Sequence, residues 1–234
     1  MRGDGLAAGR GLGIIALVAS TVVGGTVWAE TETKICPDGS AWHEEADLAA
    51  HPLEPGVLPG RVGWCRRPDG QRHGAMRVWW PNGTLQSEST FVDGAAEGPA
   101  RTWFDNGRLH VESQNHDGRT EGRYVLWHPT GQRSRIMHYE AGRPHGWATY
   151  WDEKGRLVAR GTFVDGRKEG VWETQHSNGL LREVARWAEG RLSGRQLMFS
   201  EGGVFSYGAC WEAGEKQWES KNEAESRTRR CSPW

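Results

Sequence analysis

Aliphatic side chains are scarce in this sequence. Hydrophobic residues fill 36% of its 234 positions, against roughly 45–50% (glycine counted) in an average globular domain. That shortage argues against thick helical layers around a large core. Neither sign of charge dominates, with 29 lysines and arginines against 30 acids. No global field therefore draws nucleic acid or an anionic membrane toward the chain, and Arg227, Arg229 and Arg230 read as a solvated tail. The nucleophile elbow Gly-x-Ser-x-Gly, the Walker lysine loop and the dinucleotide fingerprint are all missing. The four cysteines include no C-x-x-C pair, which speaks against a zinc site of four thiolates. In "HEEADLAAH" (43–51) the histidines stand eight apart, whereas two zinc ligands on one helix face stand four apart. The sequence thus leads to no expected cofactor, metal site or catalytic set, and a non-enzymatic protein is expected.

Glycine and tryptophan are abundant instead, at 33 and 14 residues. The first 29 residues read as an export signal: Arg2 and Arg10 precede the uncharged run 11–29, and Val27-Trp28-Ala29 has a small-x-small cleavage pattern. Nineteen uncharged residues also come close to the span of about 20 that a bilayer requires, so an uncleaved anchor is the alternative. The expected location is the periplasm, the cell envelope or the medium outside. In an oxidising compartment an even cysteine count implies disulfides. Four cysteines allow three connectivities. Pairing within segments, Cys36 with Cys65 and Cys210 with Cys231, closes two short loops and leaves the middle of the chain cysteine-free.

Internal repeats dominate what remains. Gly70, Gly94, Gly118, Gly142, Gly166, Gly190 and Gly214 recur every 24 residues. A second column runs from Gly74 to Gly194, and a third holds Gly83, Gly107, Gly131, Gly155, Gly179 and Gly203. Between the glycines lie two short runs rich in aromatic and β-branched residues, bounded by turn residues, which reads as two strands per unit. Helix is disfavoured, since each interior glycine costs about 1 kcal/mol relative to alanine.

Turn chemistry sets the register. In "WPNGT" only the final loop glycine is constant, so a three-residue loop with one left-handed residue fits better than a two-residue turn, which needs two. Trp79 then faces Leu85. The expected repeat core is Trp79, Trp103, Trp127 and Trp151 with Leu85, Leu109, Leu157 and Leu181. Ser89, Phe91 and their equivalents are expected on the same face, with Met76, Val78 and Trp80 opposite. Trp80 and Phe104 are the candidates for an exposed partner contact. His73 and His145 share a loop column with Glu97, Glu121 and Glu169, a mixture that reads as a solvated edge.

The units "DGAAEGPARTWFDNGRLHVESQN" and "DGRKEGVWETQHSNGLLREVARW", with their four companions, resemble the MORN-repeat variant family over residues 69–214. The resemblance implies stacked β-hairpins forming an elongated, twisted single sheet, and scaffolds or binding platforms in place of enzymes. Some bacterial relatives carry an antitoxin label, and MORN repeats elsewhere have been tied to phospholipid or protein binding. The expected fold is therefore all-β, a single-layer antiparallel sheet of about six hairpins with disulfide-bearing end caps. The expected boundaries are a signal at 1–29, an N-terminal cap at 30–68, repeats at 69–214 and a C-terminal cap or tail at 215–234. Binding of a protein partner along the sheet is the leading functional expectation. A glycan or lipid-headgroup module, or an antitoxin-like neutraliser, is the alternative; nucleic acid is not an expected partner.

Overall fold

The computed structural model describes residues 36–37, 39–45 and 60–231. The expected signal at 1–29 lies outside them, as do parts of both expected caps. Strands β1 (Ala41–Glu45), β2 (Arg61–Arg66), β3 (Arg72–Trp79), β4 (Leu85–Val92), β5 (Ala95–Ala96) and β6 (Gly98–Trp103) come first. β7 (Leu109–His116), β8 (Arg119–Trp127), β9 (Arg133–Glu140), β10 (Arg143–Trp151) and β11 (Leu157–Val164) follow. β12 (Arg167–Gln175), β13 (Leu181–Ala188), β14 (Arg191–Phe199), β15 (Phe205–Glu212), β16 (Glu215–Ser220) and helix α1 (Glu223–Thr228) complete the order. All sixteen strands belong to one antiparallel sheet in chain order, with β5 off the path beside β4. The six repeats are the hairpins β3–β4, β6–β7, β8–β9, β10–β11, β12–β13 and β14–β15. β2 and β16 continue the sheet across both expected repeat boundaries.

Two kinds of turn alternate. At the hairpin loop, Gly83 N donates to Trp80 O and Trp80 N to Thr84 O, each at 2.8 Å. Gly83 has φ of +84° while its loop neighbours stay negative, which is the three-residue loop expected from the sequence. Between hairpins the turn has two residues, and both are left-handed: Asp93 at +49° and Gly94 at +84°, with the same pattern through Ala213 and Gly214. These are the I′-type geometries whose twist matches that of the strands. Asp-Gly suits them; alanine at 141 and 213 and glutamate at 189 occupy the same conformation without that local help.

A bulge in every hairpin decides which side chains form the core. Trp79 pairs with Leu85, but Val78 pairs with Ser87, leaving Gln86 over. The same shift recurs in the other five hairpins. Along β3 the pairing with β2 is unbroken from Trp79 to Met76, so Trp79 stands on the opposite side from Val78, as strand alternation requires. The expected single face of indole, leucine, small residue and terminal aromatic is therefore corrected. The extra residue leaves Trp79 and Leu85 on one side, and Ser87, Ser89 and Phe91 on the other with Met76 and Val78.

Most of the buried core lies on the second of these faces; Val125, 1% exposed, lies on the first. Met137, Ala148 and Trp172 are 4%, 1% and 4% exposed, with Tyr139, Tyr150, Phe163 and Trp187 packed against them. Near the N-terminal end Val62, Trp64 and Val78 form a companion cluster with Met76 against it. The eight tryptophans and leucines expected to form the repeat core are all half-buried. The core runs instead as one residue per strand: Tyr124 opposes Met137, Met137 opposes Ala148, Ala148 opposes Gly161, and Trp172 opposes Ala185. Small residues stand beside bulky ones, Ala148 by Met137 and Gly161 and Ala185 by Trp172, so a single sheet closes its own middle without a second layer.

Both ends carry a disulfide. Cys36 pairs with Cys65 and Cys210 with Cys231, the within-segment pairing. At the C-terminal end α1 packs where glycine makes room: a Cβ on Gly208 would lie 2.4 Å from the Cβ of Ser226, which is 0% exposed. Asn222 caps this helix by accepting the Glu225 N–H at 2.9 Å.

Candidate functional site

The column that begins with Trp80 is structural. Trp80 is half-buried, and its indole N–H donates to Trp103 O at 3.0 Å, 23 residues ahead in the next hairpin. His128 Nε2 reaches Trp151 O at 2.9 Å, and His176 Nε2 reaches Phe199 O at 2.8 Å. Tryptophan and histidine are interchangeable here because each offers a ring N–H at similar reach. Phe104, the other candidate contact, is half-buried and stacks on His110 with ring centroids 4.3 Å apart. The expectation that Trp80 and Phe104 stand exposed is thus corrected. Trp79 packs beneath Arg61, whose guanidinium carbon is 4.0 Å from the ring centroid, and edge-on to Trp42.

Four members of the loop column of acids and imidazoles are structural, while His145 Nδ1 makes no such hydrogen bond. Glu97 Oε2 accepts the Asp117 N–H at 3.0 Å, Glu121 the Ala141 N–H at 2.8 Å and Glu169 the Glu189 N–H at 3.0 Å. His73 Nδ1 takes the equivalent Asp93 N–H at 3.3 Å. In each case a side chain holds the first left-handed residue of the turn twenty positions ahead. The turn glycines complete the stitch: Gly118 N donates to Ala96 O and Gly142 N to Thr120 O. Only the side chains' common role as acceptors distinguishes this column from a solvated edge.

One cluster at this edge brings three ligand-type atoms together. Glu97, His116 and Asp117 offer atoms within 4.8 Å of one another. Both oxygens of Glu97 are already engaged, one by His116 at 3.0 Å and one by the Asp117 amide. The hydrogen bond from His116, then that from the Asp117 amide, holds the Glu97 carboxyl below the usual carboxylate range. The hydrogen bond to Glu97 raises His116 above the usual imidazole range.

Among the described residues the exposed tryptophan is Trp147. It is 70% exposed, whereas every other described tryptophan is buried or half-buried. It pairs with Thr162 on β11 on the face turned away from the core, since its neighbour Ala148 is in the core. Val171, 49% exposed, occupies the equivalent position one hairpin further on. Sequence reading passed over Trp147 because it followed the recurrent columns. Its own column reads Ala75, Pro99, Arg123, Trp147, Val171 and Arg195, so the signal was a departure from a polar or small column, not a repeat.

No helix among the described residues is long and apolar enough to cross a membrane, which says nothing of membrane-crossing strands. The disulfides are compatible with an oxidising location. No curated protein matches the chain. A family model described as MORN repeat variant matches residues 72–93, the hairpin β3–β4 with its loop. Five further hairpins of the same turn, bulge and pairing stand beside the matched one, so what the comparison shows is one hairpin similar to the MORN repeat variant.

Proposed function

We propose that this chain is an exported, non-enzymatic repeat scaffold that holds a protein partner against the sheet face bearing Trp147. The observation that carries the reading is the 70% exposure of Trp147 on a sheet face whose other described tryptophans are packed or half-packed. Tryptophan dominates interface hot spots because one anchor desolvates a large area at small entropic cost. The hairpins around it are fixed by backbone pairing on both sides, so the anchor is preorganised. Export is supported by the uncharged run at 11–29 and by two disulfides.

The test compares wild type with Trp147→Ser as baits in envelope extracts of the source cell. A partner retained by wild type and lost from the variant supports the reading; equal retention by both removes it. An exposed indole also suits a sugar ring. Quenching of tryptophan fluorescence by cell-wall glycans, abolished in Trp147→Ser, would transfer the site to a glycan.

A further inference from the structure

The row that contains Trp147 has a composition unlike its surroundings. Arg123, His138, Trp147, Thr162, Val171 and Arg186 each follow or precede a core residue on successive strands from β8 to β13, and so share the face opposite the core. Three in-register pairs lock the row: Arg123 with His138, Trp147 with Thr162, and Val171 with Arg186. None of the six is acidic, in a chain with as many acids as bases. Neither Arg123 nor Arg186 makes an ion pair among the described residues. The bordering carboxylates are differently placed. Glu173 is bound by Arg160 at 2.7 Å, and Glu169, which pairs with Thr162 on this same face, accepts the Glu189 turn amide. Arg186 has a built seat, since a Cβ on Gly194 would meet its Cδ at 2.9 Å.

From this we infer that the row binds an acidic segment of a protein partner, with an apolar side chain of that segment on Trp147 and carboxylates on Arg123 and Arg186. The inference rests on the partner-binding reading and specifies its chemistry. The two arginines stand five strand spacings apart, roughly 24 Å at ~4.8 Å each, with the indole and Val171 between them. That arrangement fits an apolar centre flanked by negative charge. Guanidinium forks favour carboxylates because two N–H groups meet two oxygens in one plane. Rim charges of this kind mainly set the association rate and its salt dependence, while the aromatic anchor sets dissociation.

The probe is a fluorescein-labelled eight-residue peptide of aspartate and glutamate around one central leucine, titrated by anisotropy into the whole protein. The expected result is binding that a lysine counterpart does not show and that weakens as salt shortens the screening length. Trp147→Ser should weaken it roughly tenfold or more while keeping the salt dependence. Arg123→Ala/Arg186→Ala should flatten the salt dependence. All three positions face solvent wholly or in part, and an unchanged sheet signal in circular dichroism checks that the variants fold. No peptide binding, equal binding of the lysine counterpart, or preference for phosphatidylglycerol vesicles overturns the inference. A cellular partner lost from Trp147→Ser but fully retained by the arginine double variant sinks the acidic-segment inference alone. Retention by both sinks the scaffold reading with it.

Discussion

The indole of Trp172 occupies the space that a side chain at position 161 would need. A Cβ on Gly161 would lie 2.2 Å from Trp172 Cδ2, while Trp172 itself is 4% exposed and donates its N–H to Thr162 O at 3.0 Å. Gly161→Ala should therefore destabilise by about 1–3 kcal/mol through overpacking, and Trp172→Ala by about 3–5 kcal/mol through cavity formation. Because the two share one space, the double variant should cost clearly less than the sum. Urea unfolding of the four proteins measures this; simple additivity would show that the contact does not exist.

Trp80→Phe keeps the ring and removes the donor to Trp103 O. The expected loss is about 0.5–1.5 kcal/mol, the net contribution of one hydrogen bond. His128→Phe should behave alike at its own junction. A Trp80→Phe protein with an unchanged unfolding midpoint would return Trp80 to the role of a free surface contact.

Ala141 sits at φ of +49°, a conformation that costs an ordinary L-residue about 1–2 kcal/mol. Asparagine tolerates it, and Asn-Gly is the preferred I′ pair. Ala141→Asn should raise stability by roughly 0.5–1 kcal/mol, read as a higher midpoint in thermal unfolding. A fall in midpoint would mean that the turn is not of this type.

Each disulfide closes a loop spanning 29 or 21 residues, worth roughly 3–4 kcal/mol in the chain-entropy account. Cys36→Ser/Cys65→Ser and Cys210→Ser/Cys231→Ser should each lower the unfolding midpoint and leave the sheet signal intact. End caps matter in an array whose stability is a sum over neighbours. An unchanged midpoint in both pairs would remove the capping role.

The His116–Glu97 pair sets a pH window. Glu97 is depressed, so its contribution is present above its ordinary range and is lost as pH falls through the folded value. His116 is raised, so its contribution is complete below the ordinary imidazole range and is lost as pH rises through its raised value. The junction between the first and second repeats' turns should thus be firmest between those ranges. Amide exchange at Asp117, measured against pH in wild type and His116→Gln, reads this directly. Identical profiles would show that the pair carries no linkage.

Much of the fold was legible in the residues. Glycine at 83 and its five equivalents announced left-handed loop positions, since only glycine adopts them without strain, and the 24-residue period counted the hairpins. The facing of Trp79 by Leu85 was readable because it is local in sequence, whereas four cysteines left three connectivities open and the structure chose the within-segment one. The assignment of faces was not. Gln86 looks like any strand residue, yet it is the bulge residue that moves Leu85 away from Ser87, and nothing in its chemistry marks it. Trp80 and Trp147 were equally opaque. A tryptophan beside a loop and one in mid-strand carry no sign of whether a neighbour twenty residues away will take the N–H or leave the ring bare.

The sequence by itself determined the class of structure, the number of repeats and the turn positions, because backbone conformation is chosen by side chains one to three residues away. Tertiary structure alone decided which face closes on itself, which polar side chains stitch successive turns, and which indole among the described residues is left to solvent. Those outcomes depend on where a bulge shifts the register and on contacts between hairpins, and such contacts exist only once the sheet has been laid down.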